Sequence, residues 1–160
     1  GDVNAYAASA FYAVDRYAAW KKVWGAWYQT GGLVLSDRYT TSNAVHQASK
    51  LPSGERDSFL AWLFDLEYGR LGLPKPDLVI YLDLPSEMSE QMLRRRQEET
   101  GTQADIHEQD AAYLRHCREN AREIASSLGW RQVHCAPEGV LRTPEDIHEE
   151  VWAVVRPLLG

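Results

Sequence analysis

The feature that most constrains this chain is the continuous apolar run Leu78-Val79-Ile80-Tyr81-Leu82, which ends at Asp83. A strand that is apolar on both faces is typical of a parallel sheet with helices covering both sides. The segments 33–36 and 130–135 predict two more strands, and the first of these follows two glycines and is expected to be buried. Because helical patterns separate the three strands, the sequence predicts an α/β fold with a mostly parallel sheet.

Helical patterns cover most of the remaining chain. The predicted helices span residues 2–29 (with Asp2 as N-cap), 43–50, 55–71, 86–97, 109–128 and 144–155. The first helix carries aromatic residues at spacings of three and four, which form a stripe along one side. We expect part of this stripe to be core and the rest to be available to a second subunit. Residues 98–108 are polar and predict a mobile loop. Since no repeat or Gly/Ser linker divides the chain, we expect a single domain over residues 1–160.

The composition argues against several classes of protein. The chain has 160 residues, 44% of them hydrophobic, and a formal net charge of −6, which disfavours a general nucleic-acid binder. No apolar run approaches the roughly 20 residues of a membrane span, and no signal peptide is visible. The cysteines, Cys117 and Cys135, lack metal-ligand spacing. We therefore expect a cytoplasmic protein that binds neither nucleic acid nor membranes.

A polar segment follows the predicted strand 33–36, at the sheet edge where α/β proteins bind ligands. Arg38 can direct two donors to a phosphate, with Asp37 holding the guanidinium in place. Ser42 and Asn43 stand near a helix start, where anions and polar ligands are favoured. A surface Arg–Asp pair followed by a Ser/Asn cap explains the same residues without a ligand.

Two further groups can serve a nucleotide. Tyr12 and Arg16 share one helix face, so the ring can stack on a nucleobase while the arginine donates to a base oxygen or a phosphate. A core aromatic beside a surface salt bridge is the alternative. The arginines at 94–96 follow the strand ending at Asp83 and its adjoining polar turn, 83–86. Arginines near a helix C-terminus interact favourably with the helix dipole and need no ligand. Alternatively, they bind the phosphates of a second nucleotide.

In order and spacing, these pieces together resemble the thymidylate (dTMP) kinase family over nearly the whole chain. The residues that carry the resemblance are Tyr12-x-x-x-Arg16, Asp37-Arg38-Tyr39, Ser42-Asn43 and Pro76 to Asp83. The resemblance implies a P-loop-kinase-like parallel sheet flanked by helices. It also implies phosphorylation of dTMP to dTDP with ATP as donor and Mg²⁺ as cofactor, and a homodimer.

The resemblance also implies roles for single residues. Tyr12 would stack on the thymine, Arg16 would contact the base or phosphate, oriented by Asp15, and Arg38 would bind the dTMP phosphate. Asn43 would face the base. The residues implied to bind substrate are Tyr12, Asp15, Arg16, Asp37, Arg38, Ser42, Asn43, His46 and Gln47. Arg38 and Arg96 are implied to be catalytic, and Arg96 and Asp105 are implied to lie at or in a lid near 98–108.

The sequence departs from the family pattern at two of these places. Ile106 stands where a basic lid residue is common. His46 stands where many members carry a tyrosine close to the sugar, which predicts weaker selection against a ribose 2′-hydroxyl. A solvent-facing helix histidine is the alternative for His46.

The largest departure concerns the phosphate loop, G-x-x-x-x-G-K-S/T, because none of the 11 glycines begins this motif. In the family its strand lies between those resembling 33–36 and 78–83. We therefore expect this chain to be the C-terminal three-quarters of a dTMP kinase, lacking the N-terminal strands and phosphate loop and inactive alone. The alternatives are another deoxynucleotide or deoxynucleoside kinase of the same fold, and a non-catalytic nucleotide-binding protein that lacks the loop.

Overall fold

The computed structural model describes residues 3–101 and 111–159. Asp105 and Ile106, and with them most of the predicted lid, lie outside the described residues. The chain divides into two compact units, residues 1–75 and 76–160. Because two such units can belong to one domain, the single domain over 1–160 stays a prediction. No helix in the described part of the chain is long and apolar enough to cross a membrane.

The first unit is built from helices. Its α-helices are α1 (Ala5–Ala19), α2 (Gly25–Gln29), α3 (Thr40–His46) and α4 (Arg56–Phe64). Wider π-helical turns follow α1 and α4, at Trp20–Trp24 and Asp65–Arg70, and short 3₁₀ turns lie at Ala48–Lys50 and Ser53–Glu55. The predicted helix at 43–50 therefore begins earlier, at Thr40, and changes type after His46.

The predicted N-cap of the first helix is wrong. Asn4 is the N-cap of α1, and its Oδ1 atom accepts the main-chain N–H of Ala7 at 2.8 Å. Asp2 lies outside the described residues. Both residue types are good N-caps, so composition alone does not choose between positions two residues apart.

The predicted helix over 2–29 is interrupted by the π-helical turn that follows α1. Trp20 is buried there and lies edge-on to Trp24 and Tyr28, with ring centroids 4.7 and 5.8 Å away. A Cβ atom at Gly25 would lie 2.3 Å from the carbonyl oxygen of Trp20, so this position requires glycine. Part of the aromatic stripe is therefore core, as expected.

The core of the first unit lies between α1, α3 and α4. Tyr6 on α1 packs edge-on against Phe59 and Trp62 of α4, at centroid distances of 5.2 and 4.7 Å. Phe59 and Leu63 are fully buried. Burial of side chains of this size stabilises the fold by about 1.5–3 kcal/mol each, enough to fix α1 against α4.

The predicted buried strand at 33–36 is wrong. No strand is found at these residues, and the side chain of Leu35 is 92% exposed. A strand must pair its main-chain N–H and C=O groups, and no described segment pairs with this one. An apolar run signals a tendency toward burial, but it does not supply the neighbouring strand.

The second unit is α/β. Its elements are β1 (Ile80–Asp83), α5 (Ser86–Thr100), α6 (Ala111–Ser127), β2 (Arg131–His134) and α7 (Pro144–Val155), with 3₁₀ turns at Pro137–Gly139 and Arg156–Leu159. Strands β1 and β2 pair in parallel, with Ile80 opposite Arg131 and Asp83 opposite His134. The predicted parallel pairing is therefore confirmed for these two strands.

Two expectations for this unit are wrong in detail. Leu82 is 51% exposed, so β1 is not covered on both faces. The sheet of the described residues has two strands. Helix α5 continues into the segment predicted as a loop and ends at Gly101, whose φ of +65° suits a glycine cap.

Candidate functional site

Arg38 occupies a strained turn directly before α3. Its φ is +68°, a left-handed conformation that costs a non-glycine residue about 1–2 kcal/mol. The hydroxyl of Ser36 donates to the carbonyl oxygen of Arg38 at 2.8 Å and holds the turn. The Arg38 side chain is exposed. Because such strain concentrates at functional sites, this turn is the first structural indication of a ligand site.

The turn is not held by an Asp37–Arg38 pair. Asp37 is exposed, and no ion pair joins the two side chains in the described part of the chain. Tyr39, the next residue, anchors the turn instead: its hydroxyl donates to the carbonyl oxygen of Pro74 at 3.0 Å. Burial, with smaller contributions from Tyr68 and Glu67, raises the pKa of Tyr39 above its usual range, so the hydroxyl remains a donor.

Arg16 is oriented by Glu67, not by Asp15. Its Nε atom donates to Oε2 of Glu67 at 2.7 Å, and its Nη2 atom donates to Oε1 at 2.5 Å. Asp15 lies on the exposed side of α1. This bidentate geometry is the strongest arrangement that an arginine and a carboxylate form.

Tyr12 lies one helical turn before Arg16 on α1, and its side chain is 53% exposed. The alternative of a core aromatic beside a surface salt bridge is therefore wrong in both parts. The ring faces solvent, while the carboxylate that pairs with Arg16 is buried. An exposed ring beside an oriented guanidinium is suited to a planar, polar ligand.

The remaining predicted residues lie on α3 and just after it. Asn43 is buried, and its Nδ2 atom donates to the carbonyl oxygen of Ser9 on α1 at 3.5 Å. Gln47 is also buried, and its Oε1 atom has no hydrogen-bond partner among the described residues. Ser42 and His46 are half-buried. Helix α3 thus places Asn43 against α1, on which Tyr12 and Arg16 also lie.

The second unit holds Arg96 and a separate cluster of charges. Arg96 lies on the exposed surface of α5. At the carboxyl end of β1, Asp83 accepts hydrogen bonds from Nε and Nη2 of Arg118 at 2.8 and 3.3 Å. Burial alone would raise the pKa of Asp83, but the bond from Arg118 and the charges of Arg118 and Arg122 outweigh it and lower the pKa.

Comparison with known proteins identifies the family. The thymidylate kinase family model matches residues 1–147. The chain belongs to the thymidylate kinase family. It is 32% identical to the thymidylate kinase of Mycobacterium tuberculosis over 79% of this chain and 59% of that protein. It is 32% identical to that of Nitratidesulfovibrio vulgaris over 81% of this chain and 58% of that protein. It is 29% identical to that of Thermomicrobium roseum over 82% and 57%.

Membership of the thymidylate kinase family confirms the resemblance drawn from the motifs at residues 12–16, 37–43 and 76–83. The chain spans a little under three-fifths of the length of each of these three relatives. Among the described residues, no group of three or more His, Cys, Asp or Glu side chains comes together as a metal site.

Sequence reasoning missed Glu67, the residue that pairs with Arg16. Glu67 also accepts a hydrogen bond from Oγ1 of Thr40 at 2.7 Å. The available signal was its position: Leu60, Leu63 and Glu67 recur at spacings of three and four, which places a carboxylate on the apolar face of the helix. A charged residue on such a face is rarely buried unless it is paired.

Proposed function

We propose that this chain provides the dTMP site of a thymidylate kinase, which transfers the γ-phosphoryl group of ATP to dTMP and forms dTDP. Family membership supports the reaction, and one structural observation carries the site. Arg38 is exposed, lies in a left-handed turn before α3 and has no ion-pair partner among the described residues. A cation held in a strained backbone and left unpaired is suited to an anionic ligand.

In this proposal, Arg38 binds the phosphate of dTMP and Tyr12 stacks on the thymine. Arg16 contacts the base or the phosphate, and Asn43 faces the base from α3. The remaining proposed substrate contacts are Asp15, Asp37, Ser42, His46 and Gln47, and the proposed lid residues are Arg96 and Asp105.

The chemistry requires little covalent help from the protein. An oxygen of the dTMP phosphate forms the new bond to the γ-phosphorus, and the bond between that phosphorus and the ADP oxygen breaks. Arg38 would neutralise the acceptor phosphate, so that two anions can approach in line. Mg²⁺ is proposed to enter with ATP. The proposed contribution of the residues named above is to bind and orient the acceptor.

Isothermal titration calorimetry with dTMP tests the proposal on the parent chain and on Arg38→Ala. Loss of a charge-assisted contact is expected to weaken dTMP binding by about 1.5–3 kcal/mol. Arg70→Ala is the matched control, because it removes an exposed arginine of the same unit that pairs with Asp65. Unchanged affinity in folded Arg38→Ala contradicts the role of Arg38, and a parent that does not bind dTMP contradicts the proposed function.

A panel of nucleotides distinguishes dTMP from other acceptors of the same fold. We expect dTMP to bind more tightly than dUMP and dCMP. His46 is proposed to lie near the sugar, so His46→Tyr should increase the preference for dTMP over its ribose counterpart. An unchanged preference in this variant contradicts the placement of His46.

The exposed face of α1 supports the proposed homodimer. Phe11 and Val14 are three residues apart on this helix, and both are exposed. Light scattering at micromolar concentration tests the proposal, and a monomer mass contradicts it.

A further inference from the structure

The Glu67 carboxylate forms a buried clamp on Arg16. Its side chain is 0% exposed, and its two oxygens accept three hydrogen bonds: two from Arg16 and one from Thr40. A buried carboxylate is costly unless its oxygens are satisfied by charged or polar partners. Glu67 lies in the π-helical turn Asp65–Arg70, and π-helical turns within helices are frequent at functional sites.

The clamp fixes the direction of the free donors of Arg16. A guanidinium is planar, and Glu67 uses the edge formed by Nε and Nη2. The donors on Nη1 make no hydrogen bond to any described residue, and the Arg16 side chain remains 16% exposed. The arginine is therefore held in one orientation with N–H groups left unused, on the helix that also carries Tyr12.

Thr40 connects this clamp to the turn that carries Arg38. Thr40 begins α3 two residues after Arg38, and its hydroxyl donates to the same Glu67 oxygen that accepts Nε of Arg16. One buried carboxylate therefore contacts both the helix that carries Arg16 and the helix that begins at the proposed phosphate-binding turn.

We propose that Glu67 is a positioning residue for nucleobase discrimination, and this inference rests on the proposed function. By holding Arg16 in one orientation, it directs the Nη1 donors toward a carbonyl oxygen of a pyrimidine stacked on Tyr12. A pyrimidine with an amino group at that ring position would place its own N–H donors against the Nη1 donors of Arg16. Such a base is rejected, because neither set of donors has an acceptor. Without the bonds to Glu67, Arg16 rotates away from the base. The contact with the carbonyl oxygen and the discrimination against the amino group are then lost together.

The test compares dTMP with dCMP, which carries an amino group in place of a ring carbonyl oxygen. Affinities of both nucleotides are measured by titration calorimetry on the parent chain, Glu67→Gln and Thr40→Val, with folding checked by circular dichroism. Glu67→Gln is expected to weaken dTMP binding about tenfold, and the dTMP/dCMP affinity ratio falls with it. Thr40→Val is expected to lower the ratio about threefold, because it removes the hydroxyl that donates to Glu67 and leaves the two bonds from Arg16 in place.

Two controls separate positioning from stability. Asp65→Asn removes an exposed carboxylate of the same π-helical turn, and Leu63→Ala removes a fully buried side chain from the core of the same unit. Neither is expected to change the affinity ratio, even where Leu63→Ala lowers the melting temperature. A role of Glu67 in stability alone would likewise leave the ratio unchanged.

The outcomes are distinguishable. An unchanged ratio in folded Glu67→Gln overturns the inference, while the proposed function stands as long as Arg16→Ala and Arg38→Ala still weaken dTMP binding. If Glu67→Gln does not fold, Thr40→Val decides: a lowered ratio supports the inference and an unchanged ratio overturns it. A parent chain that binds neither nucleotide overturns the proposed function, and the inference with it.

Discussion

The hydroxyl of Tyr39 donates to the main-chain carbonyl oxygen of Pro74 at 3.0 Å, across 35 positions of sequence. The Tyr39 ring also lies edge-on to Trp24, with centroids 6.4 Å apart. These two contacts fix the residue that follows Arg38, while Ser36 binds the Arg38 carbonyl oxygen from the other side. The strained turn is therefore held by its surroundings, which is the condition for keeping a left-handed arginine.

Tyr39→Phe is expected to lower the free energy of unfolding by about 1 kcal/mol, because it removes the bond to Pro74 and keeps the ring. Urea unfolding followed by tryptophan fluorescence measures the change. Tyr17→Phe is the control, since no hydrogen bond of the Tyr17 hydroxyl to a described residue is found. Equal stability of Tyr39→Phe and the parent would show that the bond to Pro74 does not hold the turn.

Two substitutions of Arg38 should differ in stability but not in dTMP affinity. Glycine adopts a φ of +68° without strain, whereas alanine retains the penalty, so Arg38→Gly should be about 1 kcal/mol more stable than Arg38→Ala. Both variants lose the guanidinium and should bind dTMP equally weakly. Thermal unfolding and titration calorimetry give the two quantities. A glycine variant less stable than the alanine variant would contradict the left-handed turn.

Tyr12 should act through its ring and not through its hydroxyl. Loss of a stacked base typically costs about 1–3 kcal/mol, so Tyr12→Ala should weaken dTMP binding by that amount. Tyr12→Phe keeps the ring and should bind nearly as well as the parent. Because the side chain is half-exposed, neither change should greatly alter the melting temperature. Equal dTMP affinity of the alanine variant and the parent would exclude stacking on this ring.

The sequence pattern predicted most helices and the parallel pairing of β1 with β2, but it wrongly predicted a strand at 33–36. Apolar spacing located α4, a continuous apolar run located β1, and the segment that follows the helix cap at Gly129 located β2. The segment 33–36 has the same apolar character, but no described neighbour pairs with it. Whether an apolar segment forms a strand therefore depends on a neighbouring strand, which a local sequence pattern cannot show.

The same limit explains the partner of Arg16. Asp15 is adjacent in sequence, whereas Glu67 is 51 positions away and is brought close only by the packing of α4 and its π-helical turn against α1. A bidentate pair at such separation is a property of tertiary structure. The family resemblance predicted Tyr12, Arg16 and Arg38 as site residues, but it implied Asp15 and not Glu67 as the residue that orients Arg16.

Asp83 at the end of β1 is surrounded by basic side chains. Arg118 donates two hydrogen bonds to it, while Arg122 and Nδ1 of His134 lie 3.7 and 3.4 Å from its Oδ2 atom. Tyr81 on the same strand also contacts it, and burial with the charge of Asp83 raises the pKa of Tyr81 to about 12. Despite its own burial, the Asp83 carboxyl therefore has a pKa below the usual value.

This lowered pKa makes the second unit sensitive to acid. A carboxyl whose pKa is lower in the folded state than in the unfolded state stabilises the fold above the unfolded value, about 3.9. That contribution disappears as the pH falls through the folded-state pKa. Asp83→Asn should therefore be less stable at pH 7 by about 1–3 kcal/mol and lose less stability on acidification from pH 5. Urea unfolding across this range measures both effects.

Glu99→Gln is the control. It removes an exposed carboxylate paired with Arg95, and it should change neither the stability at pH 7 nor the loss of stability on acidification. An acid dependence in Asp83→Asn as steep as in the parent would show that other carboxylates cause it.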